Sequence, residues 1–263
     1  MSLLSILLKS LGIRRRILSD LRYNYFHEFE HSIPLGNGYW AELLENDAYD
    51  SFSEIFIIQE YADFLPEEPL IRILDIGAHY GYFSLWVQSK FPDTEIYSVM
   101  VEPSPRCARS LQKLIRQKHI RNRYTYLQRV VGNPQEKHSN FVDRPYMAGS
   151  CFSSIEDHES IQLPILLEGE ILAELEPPYD LIKCDIEGSE LEFIEHYPIL
   201  LKNTKYILLE WHSWHSGGGG YPQLKKRLID YHFEIVKSSQ PIPAIGREGE
   251  VGYLLARNIK LVT

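Results

Sequence analysis

The chain has 263 residues, 44% of them hydrophobic and 24% charged, which suits one α/β domain with extensions and a large core. Its formal net charge of −9 argues against a broad nucleic-acid binder, whose footprint is a basic face. The cysteines Cys107, Cys151 and Cys184 give neither an even disulfide set nor a Cys-x-x-Cys metal spacing, so a reducing cytoplasm is the expected compartment.

The opening run Met1-Ser-Leu-Leu-Ser-Ile-Leu-Leu8 is apolar but well short of the roughly twenty residues that a membrane-spanning helix needs. It has no basic region before it and no small-residue cleavage site after it, so a signal peptide is not expected. With Arg14-Arg-Arg16 behind it, this helix is expected to pack on its own domain or a partner subunit, a membrane-surface helix being the alternative. Residues 1–65 read as an N-terminal extension: the helix, aromatic strands around Tyr39-Trp-Ala-Glu42, then a helix from Tyr49 to Phe64. Tyr23, Tyr25, Phe26 and Phe29 suit core or subunit contacts, which makes a homo-oligomer through this extension reasonable. Pro66-Glu-Glu-Pro69 marks a join, and 66–263 is expected to be the catalytic domain.

Strands are expected at Ile71–Ile76, Glu95–Val101, Tyr124–Val131, Leu181–Asp185 and Tyr206–Trp211, with helical patterns at Tyr82–Lys90 and Ser104–Gln117. Such alternation predicts a mostly parallel sheet covered by helices on both faces. Phe233–Val236 and Val251–Ala256 suit a closing antiparallel pair, the stretch from Asn133 to Glu168 is irregular, and Ser216-Gly-Gly-Gly-Gly220 reads as a loop. Ligands of such sheets lie outside the carboxyl ends of the strands, where Asp75, Glu102 and Asp185 fall.

The first strand runs into a turn, Asp75-Ile-Gly-Ala-His-Tyr-Gly81, and then a helix, the arrangement by which α/β folds hold nucleotide-like ligands. Gly77 and Gly81 are expected to let backbone approach a ligand closely. Asp75, Ala78, His79 and Tyr80 complete the expected lining. Glu102 ends the next strand near the distance at which a carboxylate grips ribose hydroxyls. The dinucleotide fingerprint is not met, since His79 stands at its second glycine and the third is absent. The loop resembles instead the Asp-x-Gly-x-x-x-Gly turn of class I S-adenosylmethionine-dependent methyltransferases, although His79 stands where an amide or small residue is expected.

A third segment, Tyr179-Asp-Leu-Ile-Lys-Cys-Asp-Ile-Glu-Gly-Ser-Glu-Leu-Glu-Phe193, joins a short apolar strand to Asp185, Glu187, Gly188 and Glu190. Taken with the glycine turn, Glu102-Pro103 and Leu208-Leu-Glu-Trp-His212, it resembles the FkbM-type methyltransferase family over residues 71–212. The resemblance implies a class I methyltransferase (Rossmann-like) fold and O-methyl transfer from S-adenosylmethionine, commonly to a sugar or natural-product hydroxyl. Asp75, Gly77 to Gly81, Glu102 and Asp185 would hold the cofactor; Asp185, Glu210 and His212 would work at the acceptor. His212 is the first candidate for the base, because an unperturbed imidazole titrates near neutral pH. The same three residues are also suitable ligands for Mg2+ or another divalent cation, although their spacing does not require one. Glu187 and Glu190 are expected to serve a helix start, and Trp214 and His215 either to close over substrate or to lie in a solvated, passive loop. The rivals are a nicotinamide-dependent oxidoreductase, against which the missing glycine counts, and a non-catalytic nucleotide-binding module.

Overall fold

The computed structural model describes residues 31–45, 47–143, 151–152, 160–214, 220–244 and 248–262. The expected helix at Met1–Leu8, the aromatic run Tyr23–Phe29, His215 and the start of the glycine loop lie outside them. Two strands, β1 (His31–Gly36) and β2 (Tyr39–Leu43), form an antiparallel hairpin. A short helix, α1 (Ala48–Phe52), runs into a wider π-type turn at Ser53–Ile58, ended by Gln59 in a left-handed conformation. The helix expected from Tyr49 to Phe64 therefore stops early, and the chain turns back toward the sheet.

The main sheet is built from β3 (Arg72–Ile76), β4 (Tyr97–Val101), β5 (Tyr124–Leu127), β9 (Tyr179–Cys184), β10 (Thr204–His212), β11 (Phe233–Ser238), β12 (Ile242–Pro243) and β13 (Glu250–Asn258). Its order is β11-β13-β10-β9-β3-β4-β5, with β12 paired to β13. The run from β10 to β5 is parallel, and β13 is antiparallel to both β10 and β11. The strand order reverses at β3, and such a switch point opens a crevice at the carboxyl edge.

The helices between these strands are α2 (Tyr82–Lys90), α3 (Pro105–Leu114), α4 (Glu168–Glu174), α5 (Glu190–His196), α6 (Pro198–Lys202) and α7 (Tyr221–Asp230). Helices α2 and α3 cover one face together with Tyr39, Ala48, Ile55 and Tyr61, so the described part of residues 31–65 is packed into this core. Helices α4 to α7 cover the other face. The stretch from Asn133 to Glu168, read as irregular, contains a small antiparallel sheet of β6 (His138–Val142), β7 (Cys151–Phe152) and β8 (Ser160–Pro164) in the order β7-β6-β8. Its strands are short and mixed in polarity, so no period-2 pattern marks them in the sequence. Among the described residues no helix is long and apolar enough to cross a membrane.

Alternation along the strands decides which polar groups meet. Ile73, Leu181, Tyr206 and Leu208 belong to the core beneath α2 and α3, whereas Leu74, Ile76, Ile182, Ile207 and Leu209 belong to the opposite one. Side chains two apart share a face, so Asp75, Lys183 and Glu210 emerge on the α2 side.

Two glycines hold the cofactor turn in place for a reason the sequence did not show. A Cβ on Gly77 would stand 1.7 Å from the Asp185 carbonyl oxygen, and one on Gly81 would meet Met100 Sδ at 2.9 Å. Both have φ near +75°, where a side chain is strained. Their first task is to let the turn pack on the β9 loop and on α3. Gly77→Ala is therefore expected to cost more than about 3 kcal/mol or to prevent folding. Gly169→Ala, in α4 with open space around it, should change stability by less than about 1 kcal/mol. Urea unfolding of the two variants checks this; equal stabilities would refute it.

Candidate active site

At the carboxyl edge lies a buried cation, Lys183, a lysine in a strand whose six residues are all buried. A buried ammonium is costly unless paired, and here its partners are at hand. Nζ donates to the Gly77 carbonyl at 2.7 Å and lies 3.7 Å from Asp75 Oδ1 and 3.5 Å from Asp185 Oδ2. Burial alone would lower its pKa, but the charges of Asp185, Asp75 and Glu210 outweigh that and hold it well above the ordinary lysine value. Asp75, expected at the ligand, is fully buried; Oδ2 accepts from Ser84 Oγ at 2.7 Å, and Oδ1 faces Lys183. It acts through Lys183 and does not reach the cleft surface, because β3 lies at the middle of the sheet under α2.

Glu102 follows β4, with one carboxylate oxygen accepting the His79 amide at 2.8 Å and the other the Ser104 amide at 2.9 Å. A carboxylate has about four lone-pair sites, so these two bonds orient Glu102 and leave acceptors for a diol. The turn is fixed by the Gly77 and Ala78 amides, which both donate to the Val101 carbonyl. His79 holds a left-handed conformation at φ 50°, uncommon for a side-chain-bearing residue. Tyr80, expected to line the pocket, is instead buried, with its hydroxyl on Asp47 Oδ1 at 2.5 Å. Asp47 also pairs with Arg106 Nη1 at 3.0 Å, and Arg106 Nε reaches Asp143. Burial pushes the Asp47 carboxyl up, but hydrogen bonds from His79 and Tyr80 and the charges of His79 and Arg106 hold it at about 2. Arg106, in α3, is thus a strut between the N-terminal segment and the end of β6.

Beyond the ends of β9 and β10, Glu190 is the organising group. Its Oε1 accepts the amides of Ile186 and Gly188, each at 3.1 Å, and meets His212 Nδ1 at 2.9 Å. The His212 amide lies 3.4 Å from Oε2. Glu190 therefore does more than favour a helix start: it ties the Asp185–Ser189 loop to the end of β10. Glu187 in that loop is left-handed at φ 55°, and its carbonyl accepts from Trp214 Nε1 at 3.1 Å. The Trp214 ring packs on His212 with centroids 4.4 Å apart.

His212 does not suit the base role expected of it. Burial alone would lower its pKa, but the charge and hydrogen bond of Glu190, with the charges of Asp185 and Glu210, raise it to about 10. The ring is an imidazolium at neutral pH, with no lone pair to take a proton. Beside it, Glu210 Oε1 lies 3.9 Å from His212 Nε2, and Glu210 Oε2 accepts from Tyr61 at 2.7 Å. Burial, then the charge of Asp185, raises the Glu210 carboxyl to about 7 against the pull of His212, Tyr61 and Lys183.

Asp185, Glu190 and His212 each offer a ligand atom within 4.8 Å of one another, close to the set in which a divalent cation was expected. The donors are already engaged. Glu190 Oε1 serves two amides and the His212 ring, and Lys183 supplies positive charge beside Asp185. The residues present form a closed ion-pair network, and no step below is routed through a metal.

Of the expected residues, Asp185, Glu210 and His212 come together at the carboxyl edge, where Gly77 and Glu102 follow β3 and β4. Sequence reasoning missed Lys183 and Tyr61 as members. A lysine inside Leu181-Ile-Lys-Cys184 was a readable signal, since a wholly buried strand tolerates one only when it is paired; Tyr61 gave none. A shallow groove lined by Tyr39, Thr94, Tyr97, Lys118 and Arg121 lies at the opposite, amino edge of the strands.

A family model described as the methyltransferase FkbM domain matches residues 75–238. The match takes in the strand-end residues from Asp75 to His212 and leaves out Tyr61. Among curated proteins, the methyltransferase sdnD of Sordaria araneosa is 26% identical over 244 aligned residues, covering 74% of this chain and 90% of that protein. Among solved structures, the methyltransferase FkbM from Methylobacillus flagellatus KT superposes with a TM-score of 0.51 at 15% identity, over 77% of this chain. That likeness shows a shared fold, and the chain spans 47% of that structure's length. A putative tRNA (m1A22) methyltransferase of Streptococcus pneumoniae, solved with S-adenosyl-L-methionine, has a TM-score of 0.45 at 14% identity, over 76% of this chain and 71% of that one.

Because His212 is held above its unfolded value near 6.5, the Glu190 pair stabilises the fold fully below that pH, and the contribution is lost as pH rises through about 10. Glu190→Gln is expected to bring the His212 titration down from about 10 toward the ordinary range, read from its ring proton resonances. An unchanged titration in the variant, or a wild-type ring already neutral at pH 8, would sink this assignment.

Proposed function

The chain belongs to the FkbM-domain family of S-adenosylmethionine-dependent methyltransferases, and from that membership we propose that it methylates a hydroxyl oxygen of a small molecule, a sugar or natural product. The observation that carries the reading is a carboxyl edge with two unlike sides at the switch point. Glu102, pinned by two amides, follows β4, and Asp185 and Glu210 stand at the ends of β9 and β10. A ribose diol suits the first side. The second is rich in carboxylates, which suits an acceptor that must lose a proton. S-adenosylmethionine bound there supplies a methyl carbon activated by its sulfonium. The protein's share is alignment, exclusion of water and handling of the acceptor's proton. The formal net charge of −9 supports a small acceptor over a nucleic acid.

The test has two stages. Calorimetry with S-adenosylhomocysteine should show binding, and Glu102→Ala should weaken it by about 10- to 100-fold, as for loss of charge-assisted hydrogen bonds. Methyl-labelled S-adenosylmethionine is then offered with a panel of monosaccharides, glycosides and phenols, with bulk tRNA as control. Label in an O-methyl group of a panel member is expected. Binding without label in any panel hydroxyl, or label in tRNA alone, would remove the reading.

Metal independence is a separate expectation. Turnover should be unchanged by EDTA or by added Mg2+, because Lys183 and His212 already supply positive charge at the acceptor side. A chelator that abolishes activity, restored by Mg2+, would show that the network opens to admit an ion.

A further inference from the structure

We infer that Glu210 takes the proton of the acceptor hydroxyl and that Tyr61, from the segment before the sheet, is its positioning residue. The inference rests on the O-methyl transfer reading and adds to it the route of the proton. His212, locked as a cation by Glu190, is left the part of a fixed counter-charge.

The geometry starts with Tyr61. Its side chain is 3% exposed, and its ring is held edge-on against Phe83 and Tyr253, with centroids 5.3 and 5.6 Å away. So confined, the hydroxyl reaches both carboxylates at the edge, Glu210 Oε2 at 2.7 Å and Asp185 Oδ2 at 3.2 Å. A phenol has one proton to donate, and the shorter contact claims it. Asp185 Oδ2 has Lys183 at 3.5 Å instead.

One Glu210 oxygen is thus pinned and the other is not. Oε1 accepts no hydrogen bond from the described residues, and His212 Nε2, at 3.9 Å, is beyond hydrogen-bond reach. A half-buried carboxylate, fixed through one oxygen and open at the other, is what a general base for an incoming hydroxyl requires. Its neighbourhood tunes it. The groups facing Glu210 are Asp185 and Lys183 from β9, His212 on its own strand, Tyr61 and Glu60 from the N-terminal segment, and Tyr253 from β13. Burial and the Asp185 charge both disfavour its ionised form, which acts in the direction a base needs, while the pinned Oε2 and open Oε1 carry the assignment.

The step balances without another reactant. A bond forms between the acceptor oxygen and the methyl carbon. The carbon–sulfur bond breaks with its electron pair left on sulfur, and the hydroxyl proton moves to Glu210 Oε1. Tyr61 keeps Oε2 engaged throughout, so the carboxylate cannot rotate its open oxygen away.

The experiment measures kcat and KM for S-adenosylmethionine across pH 5.5–9 on whichever panel hydroxyl the wild type methylates, with S-adenosylhomocysteine affinity alongside. Glu210→Gln should lower kcat by about 10²–10⁴-fold, the range of a general base, with cofactor affinity within about twofold. Tyr61→Phe should lower kcat by about tenfold at unchanged KM, as loss of one hydrogen bond to a charged group does. The wild-type rate should rise with pH through about 7 and then level off. Tyr61→Phe should move that rise to higher pH, since the lost bond favours the ionised form, a change that a merely structural role would not produce. If Glu210→Gln fails to fold by circular dichroism, the Tyr61→Phe pH midpoint decides alone. Wild-type kcat in Glu210→Gln, or an unmoved midpoint in Tyr61→Phe, overturns the proposal while methyl transfer stands. A wild type that methylates no panel hydroxyl removes the transfer reading and this proposal with it.

Discussion

The carboxyl edge of this sheet is organised around one buried charge, the Lys183 ammonium. Deep in a parallel strand it cannot be solvated, so the fold must bring it partners. It obtains them from two strands at once: the Gly77 carbonyl and Asp75 from β3, and Asp185 from just beyond its own strand. Removing one partner of a buried pair typically costs about 3–5 kcal/mol, because the other charge is then left unpaired. That penalty ties the cofactor turn after β3 to the acceptor loop after β9. Gly77 serves the same junction by having no side chain where the Asp185 carbonyl passes.

A second buried ion pair completes the acceptor side. Glu190, 1% exposed, anchors two amides of the Asp185–Ser189 loop and the imidazole of His212. The two buried cations have separate duties. Lys183 joins β3 to β9, and His212 joins β10 to the loop between β9 and α5. Around them stand more carboxylates than cations, and the surplus falls on Glu210, the group whose carboxyl is brought to about 7. A poised carboxyl at this edge is thus a consequence of how the two cations are shared.

The segment before the sheet contributes where the family match is silent. Asp47 binds Tyr80 and Arg106 around the cofactor turn, and Tyr61 reaches Glu210 and Asp185 on the acceptor side. Both come from residues outside the matched span of 75–238. Within that span lie the glycine turn and the strand ends that carry Glu102, Asp185, Glu210 and His212. The preceding segment is thus packed against both the glycine turn and the ends of β9 and β10.

Much of this was legible in the sequence because it depends on local pattern. The apolar runs ending in Asp75, Glu102, Asp185 and His212, with glycines at 77 and 81, marked a parallel sheet and its ligand edge. The helix expected at Tyr82–Lys90 has those bounds in the structure. The small sheet within 133–168 was not legible, since its short strands carry no strong alternation, nor was the early stop of the helix after Tyr49. At the site, residue types and strand ends named Asp185, Glu210 and His212, but their states depend on neighbours far along the chain. Glu190 lies 22 residues from His212 and turns an expected base into a fixed cation; Tyr61 lies 149 residues from Glu210 and pins one of its oxygens. Sequence by itself determined the fold and the residues at the edge, because periodicity and glycine placement are local properties. Only the tertiary structure decided which of them holds a proton, because protonation is set by burial and by charges that folding brings within a few ångströms.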